Sequence, residues 1–235
     1  GHPPLRWQEQ GRFISDGSDP AYDWKGFVPL KHMPHELNPK REFVSSANQN
    51  PYDSSYPLYL SDNYWMSWRG SRINDLLKNT NNASIQDVAL IQMDNESPMA
   101  KRALPVMIRE LLMFELDPGM NEIKDLLSQW DFNLDGNSWE ASFFTLWFSK
   151  LEEYTWADEL GEKSTDHNWP YSTELIEILE TDINSRWLDN IHTTERETFE
   201  MLVTKAFKSA HTDLSQKMGS DHNGWRGHDY RGTDI

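Results

Sequence analysis

The chain has 235 residues, a formal charge of −16 and no cysteine. The charge argues against nucleic acid or an anionic membrane as partner, because phosphates would be repelled. The missing thiol removes disulfides, thiolate catalysis and Cys-ligated metal.

Hydrophobic residues make up only 37%, yet 11 Trp, 10 Phe and 8 Tyr carry large apolar area each, enough for a core. No apolar run approaches the roughly 18 residues of a membrane span. No signal peptide is visible at Gly1-His2-Pro3-Pro4.

Residues 1–66 read as an extended, β-containing segment. Pro at 3, 4, 20, 29, 34 and 39 forbids long helix. Short apolar pieces such as Arg12-Phe13-Ile14 lie between turn signals at Asp16-Gly17 and Asp19-Pro20. Glu42-Phe43-Val44 is β-prone and ends in a polar knot, Ser45-Ser46-Ala47-Asn48-Gln49-Asn50-Pro51.

Residues 67–219 read as a helical domain. Ile73, Leu76 and Leu77 give Trp68–Asn79 one apolar face. Ser84 with Asp87 forms a capping-box-like start. Ser97-Pro98 opens a helix striped by Leu104, Met107, Ile108, Leu111 and Leu112, in which Pro105 predicts a kink or a late start. Asp117-Pro118-Gly119 predicts its stop, and Met120–Trp130 the next helix.

Ser138 caps a long helix with Phe143, Leu146, Trp147, Leu151 and Tyr154 on one face. A polar break from Gly161 to Trp169 separates it from a shorter helix opened by Ser172. Thr194 with Glu197 predicts a capping box for the last helix, whose stripe runs from Phe199 to Leu214 and which Gly219 ends. Residues 220–235 read as a loose, Gly-rich tail.

The ordered motifs Tyr22-Asp23-Trp24-Lys25-Gly26-Phe27-Val28-Pro29, Asn38-Pro39, Ser46-Ala47-Asn48-Gln49-Asn50-Pro51, Tyr56-Pro57 and Arg69-Gly70-Ser71-Arg72-Ile73 with Leu76-Leu77 carry a resemblance. They resemble the W-x-G-x-I-P, N-P, (A/S)-N-N, Y-P and R-x-x-R-I-x-x-L-L pattern of the penicillin amidase (penicillin acylase) family of N-terminal-nucleophile hydrolases. The match is specific over residues 1 to about 80 and continues weakly, through Gln92-x-Asp94, to Trp130-Asp131.

The resemblance implies an internal part of the β chain of an enzyme made as a zymogen and cut to expose a catalytic Ser absent here. It implies hydrolysis of linear amides by acyl transfer to that Ser, with small acylated amines as substrates. It implies a periplasmic or secreted location, a place in antibiotic processes, and the α chain and rest of the β chain as partners. The fold expected is mainly α: a helical bundle behind an extended segment, cut from an αββα sandwich and inactive alone.

Two residues carry the implied chemistry. Asn48 matches the Asn that donates to the oxyanion, a task suited to an NH2 that does not titrate. Its alternative is a turn Asn bonded to its own backbone. Arg69 matches a site-supporting cation, which near an α-amine would lower the amine's pKa and keep it basic; a surface salt bridge is its alternative. Asn50 is the neighbour most easily confused with Asn48, and Arg72 reads as structural.

Asp131-x-Asn133-x-Asp135-Gly136 copies the start of an EF-hand loop, but position 12 is Ser142, so an Asx-rich turn competes with Ca²⁺. No cofactor is expected here. A structural Ca²⁺ is possible in the parent, but here the sequence departs from the family: Leu60 stands near the family's ligand position, and Asp62 is two residues further on. His32 and His35 lie in a loop without metal spacing. The rival readings are a non-catalytic helical scaffold and, on the Trp content alone, a saccharide-binding module.

Overall fold

A computed structural model describes residues 2–7, 9–11, 14–61, 64, 67–111, 116–161, 169–227 and 229. Arg12, Phe13, Asp62, Leu112, most of the predicted polar break and the end of the predicted tail lie outside these residues. The chain is mainly helical. It divides into two compact units, residues 1–91 and 92–235.

The first unit is held by turns and side chains. Among the described residues its β structure is confined to isolated bridges, Pro4 with Phe27 and Arg6 with Tyr59. Leu5 N–H donates to Gly26 O at 2.9 Å and Val28 N–H to Pro3 O at 2.8 Å. The β-prone run Glu42-Phe43-Val44 forms no strand: Glu42 has φ 61° and Val44 is 64% exposed. A β-prone run needs a neighbouring ladder to satisfy its backbone, and among the described residues none pairs with it.

Helix α1 spans Trp68–Lys78 and helix α2 spans Ile85–Met93, which crosses the boundary between the units. The start of α2 is the capping box read from the sequence. Asp87 Oδ2 accepts from Ser84 N–H at 2.8 Å, and Ser84 Oγ accepts from Asp87 N–H at 3.2 Å.

The second unit is a bundle of α3 (Pro98–Leu111), α4 (Pro118–Leu127), α5 (Trp139–Leu160), α6 (Ser172–Thr181) and α7 (Phe199–Met218). Ser97 caps α3 through Ala100 N–H, and Ser138 caps α5 through Ala141 N–H, both at 3.1 Å. Pro105 sits inside α3 without delaying its start.

Asp117-Pro118 begins α4 rather than merely stopping α3. The Asp117 carboxylate accepts from Met120 N–H at 2.9 Å, and Pro118 takes the first helical position, where its lack of N–H costs nothing. The capping box predicted at Thr194 and Glu197 does not form. Thr198 caps α7 instead, while the Glu197 carboxylate accepts from Asn190 N–H and faces Lys205.

Helices α5 and α7 pack against each other, and α3 lies on α6 and α7. Phe143 and Trp147 of α5 meet Phe207 of α7 at ring distances of 4.9 Å each. Trp147 Nε1 donates to Val203 O at 3.0 Å, so its one polar atom is satisfied where water cannot reach. The one-faced stripe predicted for α5 is too narrow: Phe144, Phe148 and Trp156 are buried as well. A helix apolar on several faces belongs in the middle of a bundle.

Nor do residues 220–227 hang free. Trp225 is fully buried, stacked on Phe143 at 5.9 Å, with Nε1 donating to Gly219 O at 2.7 Å. Glycine content reads as looseness, and one indole outweighs it.

Candidate functional site

The polar knot of the first unit rests on the first turns of α1. Gly70, buried in α1, makes the close seat. A Cβ there would stand 3.2 Å from both Cδ and Oε1 of Gln49. Gln49 folds across its own turn, its Oε1 accepting from Ala47 N–H at 2.5 Å and its Nε2 donating to Ser45 O at 3.4 Å.

One helical turn beyond Gly70, Asn74 ties the same two elements. Its Nδ2 donates to Gly70 O at 2.6 Å, and its Oδ1 accepts from Ser45 Oγ at 3.0 Å and Arg41 Nη1 at 3.4 Å. Arg41 also pairs with Glu36 and lies over the Phe43 ring.

This seating brings Arg69 to Asn48. Arg69 Nη2 donates to Asn48 Oδ1 at 2.7 Å. A guanidinium has donors and no acceptor, so the amide atom facing it is the oxygen. The Asn48 NH2 is thereby turned the other way and makes no hydrogen bond among the described residues. Asn48 is exposed, and its φ of 65° is a left-handed conformation that Asn tolerates better than most residues.

The two asparagines of the knot therefore differ. Asn50 Oδ1 accepts from Tyr52 N–H at 3.1 Å, folding back on its own turn. Asn48 is held by a distant side chain and leaves two donors outward. The positive charge of Arg69 and the N-terminal end of α1 lie beside it, although the chain as a whole is strongly acidic.

Around the knot, the Tyr52 ring lies tilted against Tyr56 and edge-on to Tyr64, at 4.6 and 5.9 Å. Burial, then the Tyr52 hydrogen bond, hold the Tyr64 phenol well above its ordinary pKa. The Tyr64 phenol therefore keeps its proton at neutral pH.

The other sequence candidates are placed elsewhere. In the EF-hand-like loop, both Asp131 oxygens accept from Asn133, and Asp135 Oδ1 accepts from Asn137 N–H at 2.8 Å. These are Asx turns leading into the Ser138 cap, and the backbone and side-chain bonds from Asn133 hold the Asp131 carboxyl below its ordinary pKa. Among the described residues no group of three His, Asp or Glu gathers as metal ligands. His32 and His35 are exposed. Of the tryptophans, 130, 139, 147, 156 and 225 are buried, and the exposed Trp7 and Trp24 rings pair with Tyr22 and Phe27 rather than with each other. No stacked sugar platform is present among the described residues.

Sequence reading names Asn48 and Arg69 but misses Gln49, Gly70 and Asn74, which join the knot to the helix. The signal available is Gly70 beside Arg69, with Asn74 one turn on, a small residue where another backbone or side chain must approach.

The penicillin amidase family model matches residues 1–235. The chain belongs to the penicillin amidase family. Membership thus reaches well past the point near Asp131 where the motifs fade. The acyl-homoserine lactone acylase QuiP of Pseudomonas syringae pathovar tomato is 23% identical over 96% of this chain and 30% of its own length. QuiP of Pseudomonas aeruginosa is 22% identical over 96% of this chain and 29% of its own.

Penicillin acylase 2 proenzyme of a Pseudomonas species is 25% identical over 70% of this chain and 21% of itself. The chain thus spans no more than about a third of the length of these relatives. Thermostable penicillin G acylase from Alcaligenes faecalis matches in structure with a TM-score of 0.62, covering 95% of this chain and 45% of that one at 16% identity. That likeness is one of fold.

Proposed function

We propose that this penicillin amidase-family chain supplies the oxyanion-stabilising part of a hydrolase of linear, acylated amines. Asn48 is the donor and Arg69 its support. The observation that supports this reading is the orientation of the exposed Asn48 amide: Arg69 holds its oxygen, and its NH2 has no hydrogen-bond partner among the described residues.

In this proposal the nucleophile is the N-terminal Ser that the family resemblance implies, in the intact enzyme. Its hydroxyl adds to the substrate carbonyl carbon while its proton passes to its own α-amine. Charge collects on the former carbonyl oxygen, where a fixed donor in a water-poor site is worth most. The proton then leaves on the departing amine, and water releases the acid from the ester. A cation bonded to the far end of the amide draws electron density toward the oxygen and sharpens the NH2 as a donor.

On this reading the chain alone has no activity. The intact molecule is a periplasmic or secreted zymogen product, and the α chain and rest of the β chain complete its site. The relatives' names divide between acyl-homoserine lactones and penicillins, so the shared chemistry is an amide joining an acyl group to a small amine. The test is Asn48→Ala in the intact enzyme against a panel of acyl amides. Loss of turnover by about a hundredfold or more with folding retained is expected. Unchanged turnover removes Asn48 from the mechanism.

A further inference from the structure

We infer that Gln49 is a positioning residue for the reaction, with Gly70 as the seat that lets it act. This rests on the reading of Asn48 given above. Three observations place Gln49 in that role. Its side chain closes the turn that carries Asn48, accepting from the residue before Asn48 (Ala47 N–H, 2.5 Å) and reaching Ser45 O at 3.4 Å. Asn48 at the centre of that turn has a left-handed φ of 65°, a conformation open to Asn that the closed turn keeps in place. The Gln49 side chain also lies against Gly70, next in sequence to Arg69.

The same side chain therefore sets the backbone of Asn48 and the distance from that backbone to α1. Arg69 and Asn48 meet at 2.7 Å only if this distance is right. At position 70 any side chain intrudes: a Cβ 3.2 Å from Cδ and Oε1 obliges Gln49 to yield by a few tenths of an ångström. Such a shift passes to Asn48, the adjoining residue, and swings its NH2 away from the forming oxyanion. Asn74 ties helix to turn as well, but through Ser45, three residues before Asn48.

Gln49 touches no reacting atom, so its effect must run through Asn48, and a double-mutant cycle reads that directly. The experiment uses the intact, matured enzyme. Its variants are Asn48→Ala, Gln49→Ala, Gly70→Ala, Gln49→Ala with Asn48→Ala, and Gln49→Ala with Gly70→Ala. Each is assayed for kcat and KM on an N-acyl-homoserine lactone and an acyl p-nitroanilide, and for melting temperature.

Gln49→Ala should lower kcat about tenfold to a hundredfold with KM nearly unchanged, the range expected for misplacing a catalytic group by up to an ångström. In the Asn48→Ala background the same change should lower kcat by less than about threefold, because there is no donor left to misplace. Gly70→Ala should also lower kcat, and removing the Gln49 side chain should not worsen it further.

An equal fold-loss from Gln49→Ala with and without Asn48 overturns the inference, since the residue would then act elsewhere. So does unchanged kcat in Gln49→Ala, which leaves the Asn48 reading intact if Asn48→Ala is itself damaging. A harmless Asn48→Ala, or no turnover of either amide by the unmodified enzyme, defeats the underlying reading instead. A fall in melting temperature without the kcat cycle marks a merely structural turn and also overturns the inference.

Discussion

Asn48→Asp separates stability from activity most sharply. The replacement is nearly isosteric, and Asp also tolerates the left-handed backbone at this position. The 2.7 Å contact with Arg69 becomes a salt bridge, exposed to solvent and so worth about 0–1 kcal/mol. Stability should therefore hold or rise slightly.

Activity should move the other way. The two N–H donors are lost, which for an oxyanion donor costs about 2.7–4 kcal/mol in the barrier. A carboxylate also now faces the forming negative charge. At about 4 Å that repulsion is roughly 1–4 kcal/mol between water-like and protein-like dielectric. The Asn48→Asp enzyme should thus be slower than the Asn48→Ala enzyme by about fivefold or more, the repulsion adding to the loss of the donor.

Arg69 holds the new carboxyl ionised at every working pH, so raising pH should not restore turnover. The assay is kcat on an acyl p-nitroanilide together with a melting curve for wild type, Asn48→Ala and Asn48→Asp. If Asn48→Asp turns over faster than Asn48→Ala, or within about tenfold of wild type, the oxyanion assignment is refuted.

Two predictions concern the second unit. Trp225→Ala should destabilise it by about 3–5 kcal/mol, the range for truncating a fully buried aromatic, since it also deletes the bond to Gly219 O. Chemical denaturation reads this, with hydrogen exchange at residues 220–227 as the local probe; a loss under about 1 kcal/mol would mean the segment is only draped on the core. His211, edge-on to Trp225 at 5.6 Å, has its pKa lowered by burial, partly opposed by Asp117. The unfolded chain therefore takes up this proton first, from about pH 6.5 downward. Stability present above that pH is lost as pH falls through the folded value. His211→Gln should flatten the decline in melting temperature between about pH 8 and pH 5, and an unchanged slope would show that His211 does not contribute.

Much of the helical structure is legible because helix ends are local chemistry. Ser84 with Asp87, Ser97-Pro98, Ser138 and Gly219 each act within a helical turn of themselves, so they read correctly in isolation. Where two local signals compete, the sequence cannot choose. Thr194 with Glu197 and Thr198 both offer a cap, and the need of Asn190 N–H for an acceptor draws Glu197 away. The β-prone Glu42-Phe43-Val44 fails for the opposite reason. A strand is completed by partners distant in sequence, and a run without them forms no ladder.

The family is legible in the order and spacing of the motifs between Tyr22 and Leu77, which resemble the family pattern; residue chemistry alone leaves Asn48 an ordinary turn Asn. The sequence alone therefore determined an acidic, Trp-rich, mainly helical chain with penicillin amidase motifs and two candidate residues, Asn48 and Arg69. Tertiary structure decided that these two touch, that Asn50 turns back on itself, and that Gln49 fills the space Gly70 leaves. It also decided that Trp225 is core. The contacts of Asn48 with Arg69, of Gln49 with Gly70 and of Trp225 with Phe143 join residues far apart along the chain, and no local propensity encodes them.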